Sequence, residues 1–268
     1  MERYVNITRL TTHIKIAFMV LFRKVRSNLL RLEKFKTYFI YALGEIVLIV
    51  IGLLIAWKIN NLNEIKKNRV VELKIYKSLN QELDTNLIVL DSAIIAYTKS
   101  IQMLQNTINY LGKQSKELTP ESKKLIVNLN YEKTIVRNEA INSINATNKF
   151  EFIESDSLKQ LIAAYPNELD SFNNQQNKIE GIITNRLKPV IEKHISLIEI
   201  LPENSYNYQR VKNYGNQSNY SELLVSREYQ NGVIDRLLQT KGQLTIAKNL
   251  RNKTETIATK LNHELNKP

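Results

Sequence analysis

The stretch YFIYALGEIVLIVIGLLIAW, Tyr38 to Trp57, decides how this chain is read. A helix needs about 20 consecutive apolar residues to cross a bilayer, and this run supplies them with a single charge, Glu45. From Ile46 to Trp57 it is apolar all round, which suits lipid and not the half-wet face of a surface helix. Tyr38 and Tyr41 stand at one end and Trp57 at the other, where amphipathic rings favour the headgroup level. No second strongly apolar segment exists to bury the run in a soluble core, and WKINNLN is not the small-residue cleavage site of a signal peptide. The expectation is one transmembrane helix over 38–57, preceded by a basic segment over 1–37 and followed by a domain over 58–268.

Orientation follows from the flanking cations. Arg23, Lys24, Arg26, Arg31, Lys34 and Lys36 precede the span, and Lys58, Lys66, Lys67 and Arg69 follow it. Six against four favours a cytoplasmic N-terminus and an extracytoplasmic C-terminal domain, because long domains translocate largely regardless of charge. The expected location is a bacterial inner membrane with the domain in the periplasm. The formal charge of +12 points to the same place. Residues 1–37 hold nine Lys/Arg against two Glu, a net +7, which leaves +5 for the other 231 residues. The excess is juxtamembrane, so the expected partner is anionic lipid, at roughly 1 kcal/mol per basic residue, and not nucleic acid. Within it, residues 21–33 place Leu21, Val25, Leu29 and Leu32 on one side. That pattern reads as a short amphipathic helix on the leaflet or as a solvated basic flank.

The absence of cysteine removes disulfides, thiolate zinc sites and cysteine nucleophiles. Few Gly and Pro residues and few alternating runs point to an all-α fold, with the membrane helix continuing into an antiparallel helical bundle. From Leu73 a heptad holds, with Leu73, Asn80, Leu87, Ile94, Ile101 and Ile108 at a and Tyr76, Leu83, Leu90, Tyr97, Leu104 and Leu111 at d. It reads as a parallel two-stranded coiled coil or, because Ile88, Val89, Ala93, Ile95 and Ala96 widen the stripe, as one helix of an intramolecular bundle. Gly112 is the expected stop. Thr119-Pro120-Glu121 starts a helix to about Asn130. Short helices are expected over 137–148 and 156–165, then a longer one opened by Pro166, kinked by Pro189 and carrying the apolar face Ile179, Ile182, Ile183, Leu187, Val190, Ile191, Ile195 and Ile198. Residues 202–220 read as a loop, and Ser221 as the cap of a last helix reaching Leu265 and weakened at Gly232 and Gly242.

The stretch from Phe22 to Glu64 resembles the signature of a bacterial domain-of-unknown-function family of single-pass membrane proteins. The resemblance rests on Arg23-Lys24-Val25-Arg26, on Tyr41-Ala42-Leu43-Gly44-Glu45-Ile46, on Ile51-Gly52, on Leu54-Ile55-Ala56, and on Ile59-Asn60-Asn61 through Glu64. NATNKFEFIESDSLKQLIAAY, residues 145–165, resembles a second family region more loosely. The resemblance implies a helical domain beyond one anchor in Gram-negative bacteria, and no activity. Where the family has Gln and Trp around the INN element, this chain has Lys58 and Leu62, which shifts the aromatic anchor to Trp57. Family members begin just before the FRK element, which makes Met19 an alternative start and 1–18 an upstream extension.

Glu45 is the sharpest candidate for function. It lies ~10 Å below the first boundary at 1.5 Å per residue, where an ionised, unpaired carboxylate costs a few kcal/mol. Ala42, Glu45, Ile49, Gly52 and Ala56 share a face whose small residues admit a second helix. Three readings stand: an assembly surface toward a protein partner or a second copy, a proton-coupled role, and a tolerated near-interface acid. Tyr206, Tyr208, Tyr214 and Tyr220, with Arg210 and Lys212, form a candidate binding loop for a peptide or glycan, or else pack over the end of the bundle. His13, His194 and His263 are isolated, so no metal site is expected. There is no phosphate-binding glycine loop and no G-x-S-x-G. Neither catalysis nor a cofactor is expected. The reading is a membrane-anchored, non-enzymatic envelope protein that presents a partner- or ligand-binding helical domain; the alternative is a single-pass sensor in which the span and Glu45 couple to a partner membrane protein.

Overall fold

The computed structural model describes Arg23, residues 33–196, Ile198, Gly215 and residues 217–267. The described residues are mostly helical, with no strand among them. They fall into two compact units divided between Lys67 and Asn68, a boundary inside the first helix, α1 (Glu33–Ile108). In the first unit α1 stands alone, and every side chain from Lys36 to Asn60 is exposed. Its apolar run is long enough to cross a membrane, and none of it is buried.

The second unit is built on α1 from Asn68 onward, α4 (Asp156–Ile182) and α7 (Arg227–Leu265), with α2 (Pro120–Ile126), α3 (Glu139–Asn145), α5 (Lys188–His194) and α6 (Tyr220–Val225) between them. Contacts between α1 and α7 run in opposite order along the two helices. Arg69 donates to the Glu264 carbonyl, Arg251 pairs with Asp91, and Gln243 lies beside Tyr97. The α4–α7 contacts are also reversed, with Tyr165 on Thr254 and Gln175 on Gln239. Two apolar cores result. One gathers Tyr76, Leu83, Leu90, Leu158, Phe172 and Leu250, and the other Leu104, Ile179, Leu187, Leu223 and Val233. Each such side chain contributes about 1.5–3 kcal/mol when fully buried.

The heptad is present, but its axis is turned. The d residues Tyr76, Leu83, Leu90, Tyr97 and Leu104 are buried, whereas the a residues are only half-buried. The other buried row is g: Glu72, Leu79, Asn86, Ala93 and Thr107. Several of these are polar, so a search for apolar spacing passes them by. Of the residues expected to widen the stripe, Ala93 is buried and Val89 half-buried, while Ile88 and Ile95 point outward at 70% and 57% exposure.

Local signals set most ends. After α1 the chain turns at Gly112, whose φ of +79° is the left-handed conformation that glycine tolerates. Its N–H donates to the Leu224 carbonyl. Thr119 caps α2 by accepting from the Ser122 N–H, with Pro120 in the first turn. The helix stops at Ile126 and not near Asn130, because Asn128 Oδ1 takes the Asn130 N–H in a local turn and buried donors claim the carbonyls that follow. The helix expected over 137–148 is shorter, ending at Asn145 before a 3-10 turn over Asn148–Phe152.

Pro166 does not open a helix. It lies inside α4, which Ser155 caps and which runs on to Ile182. A buried row of Leu158, Ile162, Tyr165, Leu169 and Phe172 passes across it and offsets the ~3 kcal/mol that an interior proline costs. Pro189 is accommodated by widening the helix. Residues Ile183–Leu187 form a π turn in which the Lys188 N–H reaches back to the Ile183 carbonyl. Ser221 is not the cap of the last helix. Asn219 caps α6 and Ser226 caps α7, while Ser221 Oγ accepts from the Ser115 N–H at 2.7 Å.

Residues 127–138 belong to no helix, yet they lie among α1, α4 and α7, and side chains pair their backbone. The Gln176 amide bonds both the N–H and the carbonyl of Thr134 at 2.7 and 3.0 Å. The Asn86 amide does the same for Arg137 at 2.9 and 2.8 Å. Arg236 donates through Nη1 and Nη2 to the Asn128 and Asn130 carbonyls, and Tyr229 Oη donates to the Ile126 carbonyl.

Two substitutions test this packing. Gln176→Met keeps the volume but strands both peptide groups of Thr134, and should cost about 2–4 kcal/mol at ~1–3 kcal/mol per unpaired group; Ile88→Ala should change stability by less than about 0.5 kcal/mol. Urea unfolding of the two variants gives the comparison. Gly232→Ala would gain helix propensity, but the new methyl would lie 2.6 Å from Leu187 Cδ2. A net loss of about 1–3 kcal/mol is expected from overpacking, read as a lowered unfolding midpoint.

Candidate functional site

Ala42, Glu45, Ile49, Gly52 and Ala56 follow one another at spacings of three and four along α1, so they form one stripe. All are exposed, and a Cβ built on Gly52 meets nothing within 4 Å. The stripe is therefore open to a second helix. Glu45 is its only ionisable group, fixed within otherwise apolar surface. In lipid such a carboxylate needs a proton or a polar partner.

Of the basic flank, Arg23 and Lys36 are exposed and Lys34 lies in the first turn of α1. Lys24, Arg26 and Arg31, and with them most of the amphipathic 21–33 segment, lie outside the described residues. So do Tyr206, Tyr208 and Tyr214. Tyr220 corrects the loop reading. It is the first residue of α6, buried in the second apolar core, with the Lys123 ammonium 5.0 Å from its ring centroid. The Asn219 cap starts the helix there and turns the ring inward, so Tyr220 packs and is not displayed.

Periodicity does not find the buried polar groups that α1, α4 and α7 direct at residues 127–138. Tyr97 Oη lies 3.0 Å from Thr134 Oγ1 and 3.2 Å from Gln176 Oε1. Arg236, Thr240 and Gln243 add a buried polar row from α7. Burial pushes the Arg236 guanidinium down to about 10, so it stays charged at neutral pH, and no carboxylate among the described residues pairs with it. Glu72 is the acid counterpart at another point. Burial opposes its charge, but the Glu154 N–H, the Tyr76 hydroxyl and the Arg69 guanidinium together hold its carboxyl below the usual range. The hydrogen bonds these groups make serve the fold. A shallow groove of about 520 Å³ also lies beside the π turn, lined by Arg186, Pro189, Lys193, His194, Arg227 and Glu228. His194 Nδ1 is also 3.6 Å from a Glu222 carboxylate oxygen. Among the described residues no three His, Asp or Glu side chains converge to hold a metal.

Comparison with protein-family models, with curated proteins and with solved structures gives no match. The likeness of residues 22–64 to a family of single-pass membrane proteins therefore rests on those residues alone.

Glu72 supplies a pH test. A carboxyl whose folded value lies below its ordinary 4.5 contributes stability that is present above that value and lost as pH falls through the folded one. Glu72→Gln should cost about 1–3 kcal/mol at neutral pH. It should also flatten the acid side of the stability–pH curve, which urea unfolding from neutrality down through the carboxylate range would record.

Proposed function

We propose that this chain is a single-pass protein of a bacterial inner membrane whose non-enzymatic helical domain binds a partner protein or ligand on the periplasmic side. The observation that carries the reading is the contrast within α1. From Tyr38 to Trp57 its large apolar side chains are exposed, while beyond Asn68 the same helix buries Tyr76, Leu83, Leu90, Tyr97 and Leu104. Water would penalise the first stretch by ~25 cal/mol per Å² of apolar surface, and lipid removes that penalty. The juxtamembrane cations support an inward N-terminus, and the buried ionisable groups Glu72 and Arg236 serve the fold. The domain is read as an antiparallel bundle.

The stripe Ala42, Glu45, Gly52, Ala56 is the contact for a second transmembrane helix, from a partner protein or another copy, with Glu45 as its polar point. A sensor is the second reading. It is favoured by one uninterrupted helix, Glu33–Ile108, carrying both the exposed apolar run and the buried d residues.

In-cell crosslinking of tagged full-length protein should capture a defined partner helix, and Glu45→Gln should reduce that capture severalfold. Equal capture by the variant would remove Glu45 from assembly. The absence of cysteine makes topology directly measurable. Lys99→Cys, an exposed position, should react with a membrane-impermeant maleimide once the outer membrane is opened, and Ser27→Cys should not. The reverse pattern would invert the proposed orientation.

A further inference from the structure

The groove beside the π turn gathers cations from three elements. Arg186 comes from the π turn itself, Lys193 from α5 and Arg227 from the first turn of α7. Among the described residues that line it, Glu228 is the one carboxylate. Two of these charges are already engaged. Arg186 pairs with Asp235, which is outside the lining. The Glu228 carboxylate accepts from the Ser226 hydroxyl at 3.1 Å. Its own backbone N–H, that hydroxyl, Lys193 and Arg227 together hold it below the usual carboxylate range. The Lys193 and Arg227 side chains are exposed, and neither makes a hydrogen bond or close ion pair with a described residue.

Cations brought together from two helices repel, so the fold gains nothing from placing Lys193 and Arg227 at one concavity. A concave site concentrates the field of its charges and draws ions of the opposite sign. The volume of about 520 Å³ falls within the roughly 300–1,000 Å³ of small-molecule sites, so the groove has room for a carbon skeleton as well as its charges. Pro189 and Val190 offer that skeleton an apolar contact, and the Asn185 and Asn231 carboxamides can donate to or accept from neutral polar groups. The groove lies at the start of α7, a helix of 39 residues and about 58 Å, whose far end meets Arg69 where the chain enters the domain. A nucleic acid would need a run of cations along its backbone, which one pocket does not supply. We propose that this groove binds a small organic dianion from solution, a dicarboxylate or a phosphomonoester, through Lys193 and Arg227. The inference rests on the ligand-binding role proposed for the helical domain, names its ligand class, and uses nothing of the span.

The test is titration calorimetry on the full-length protein in detergent at fixed ionic strength. Sodium succinate and sodium glycerol 3-phosphate are the probes, and sodium gluconate is the singly charged control. At least one of the two dianions should saturate a single site per chain, and gluconate should bind about tenfold more weakly. Which dianion binds separates carboxylate from phosphate chemistry. Lys193→Gln and Arg227→Gln should each weaken binding about fivefold and together abolish it. Their thermal midpoints should match the wild type, because both side chains are exposed and unbonded. Asn231→Asp, which adds a carboxylate to the lining, should weaken binding likewise. Lys178→Gln, which removes an exposed cation of α4 outside the groove, should leave it unchanged. No saturable binding, binding retained in the double variant, or binding of a hexaglutamate peptide alone would overturn the site; the last result would give the groove to an acidic segment of a partner protein. Each of these outcomes leaves the span and the Glu45 stripe standing, because crosslinking reads those separately.

Discussion

Pairing the peptide groups of residues 127–138 is the constraint on which the helical domain depends. A segment without helix or strand pairs few of its own N–H and C=O groups, and away from water each unpaired group costs about 1–3 kcal/mol. Three helices answer with long polar side chains: Asn86 from α1, Gln176 from α4 and Arg236 from α7. A primary amide presents a donor and an acceptor side by side, so Asn86 and Gln176 can each engage both peptide groups of one residue, as a neighbouring strand would. The guanidinium fork spans two carbonyls two residues apart. Once these contacts are made, the spacing and rotation of the three helices about the segment are fixed, because moving any one of them unpairs buried backbone.

That arrangement explains why the apolar core is in two parts. Tyr97, Gln176, Arg236, Thr240 and Gln243 occupy the region between the two clusters of aliphatic side chains, where residues 127–138 must be met by polar groups. Polar layers of this kind contribute less stability than aliphatic packing of the same volume, but they discriminate strongly against alternatives. A helix shifted by one turn would still bury leucines. It would leave Gln176 facing the wrong peptide and Arg236 with no carbonyls at all. Register is thus set by hydrogen bonds, and cohesion by the aliphatic residues on either side.

How legible the sequence is follows from the same physics. The d residues of α1, the apolar face from Ile179 to Ile195 and the last helix from Leu237 to Leu261 show in the sequence because burial selects large apolar side chains at helical spacing, and these positions are buried. Gly112 and the Thr119 cap show because their chemistry is local. The g row of α1 does not, since Glu72, Asn86 and Thr107 are buried for what they bond and not for what they exclude. Pro166 misleads for a similar reason, its local penalty being overridden by a buried face that runs past it. Tyr220 reads as loop because Asn219 is one of several candidate caps in a polar stretch, and only its bond to the Glu222 N–H selects it. The polar layer depends on residues far apart in sequence, such as Asn128 and Arg236, and no short-range pattern encodes that meeting.

The two parts of the molecule have opposite relations between surface and stability. The helical domain has its apolar side chains inside and keeps α7 and α4 bound through contacts spread over their length. The stretch from Tyr38 to Trp57 has no inside, and within a bilayer it gains nothing by burying leucine against leucine, because lipid tails are equally apolar. Specific association there needs close backbone approach or a polar bond that hydrocarbon cannot offer. For the assembly proposed above, the stripe would offer both, Gly52 and the two alanines for approach and Glu45 for the bond. A carboxylic acid in that position is costly when alone and stabilised when shared. In the proposed membrane assembly, specificity would thus rest on the one residue that lipid disfavours, as in the domain it rests on polar side chains that an aliphatic core would replace.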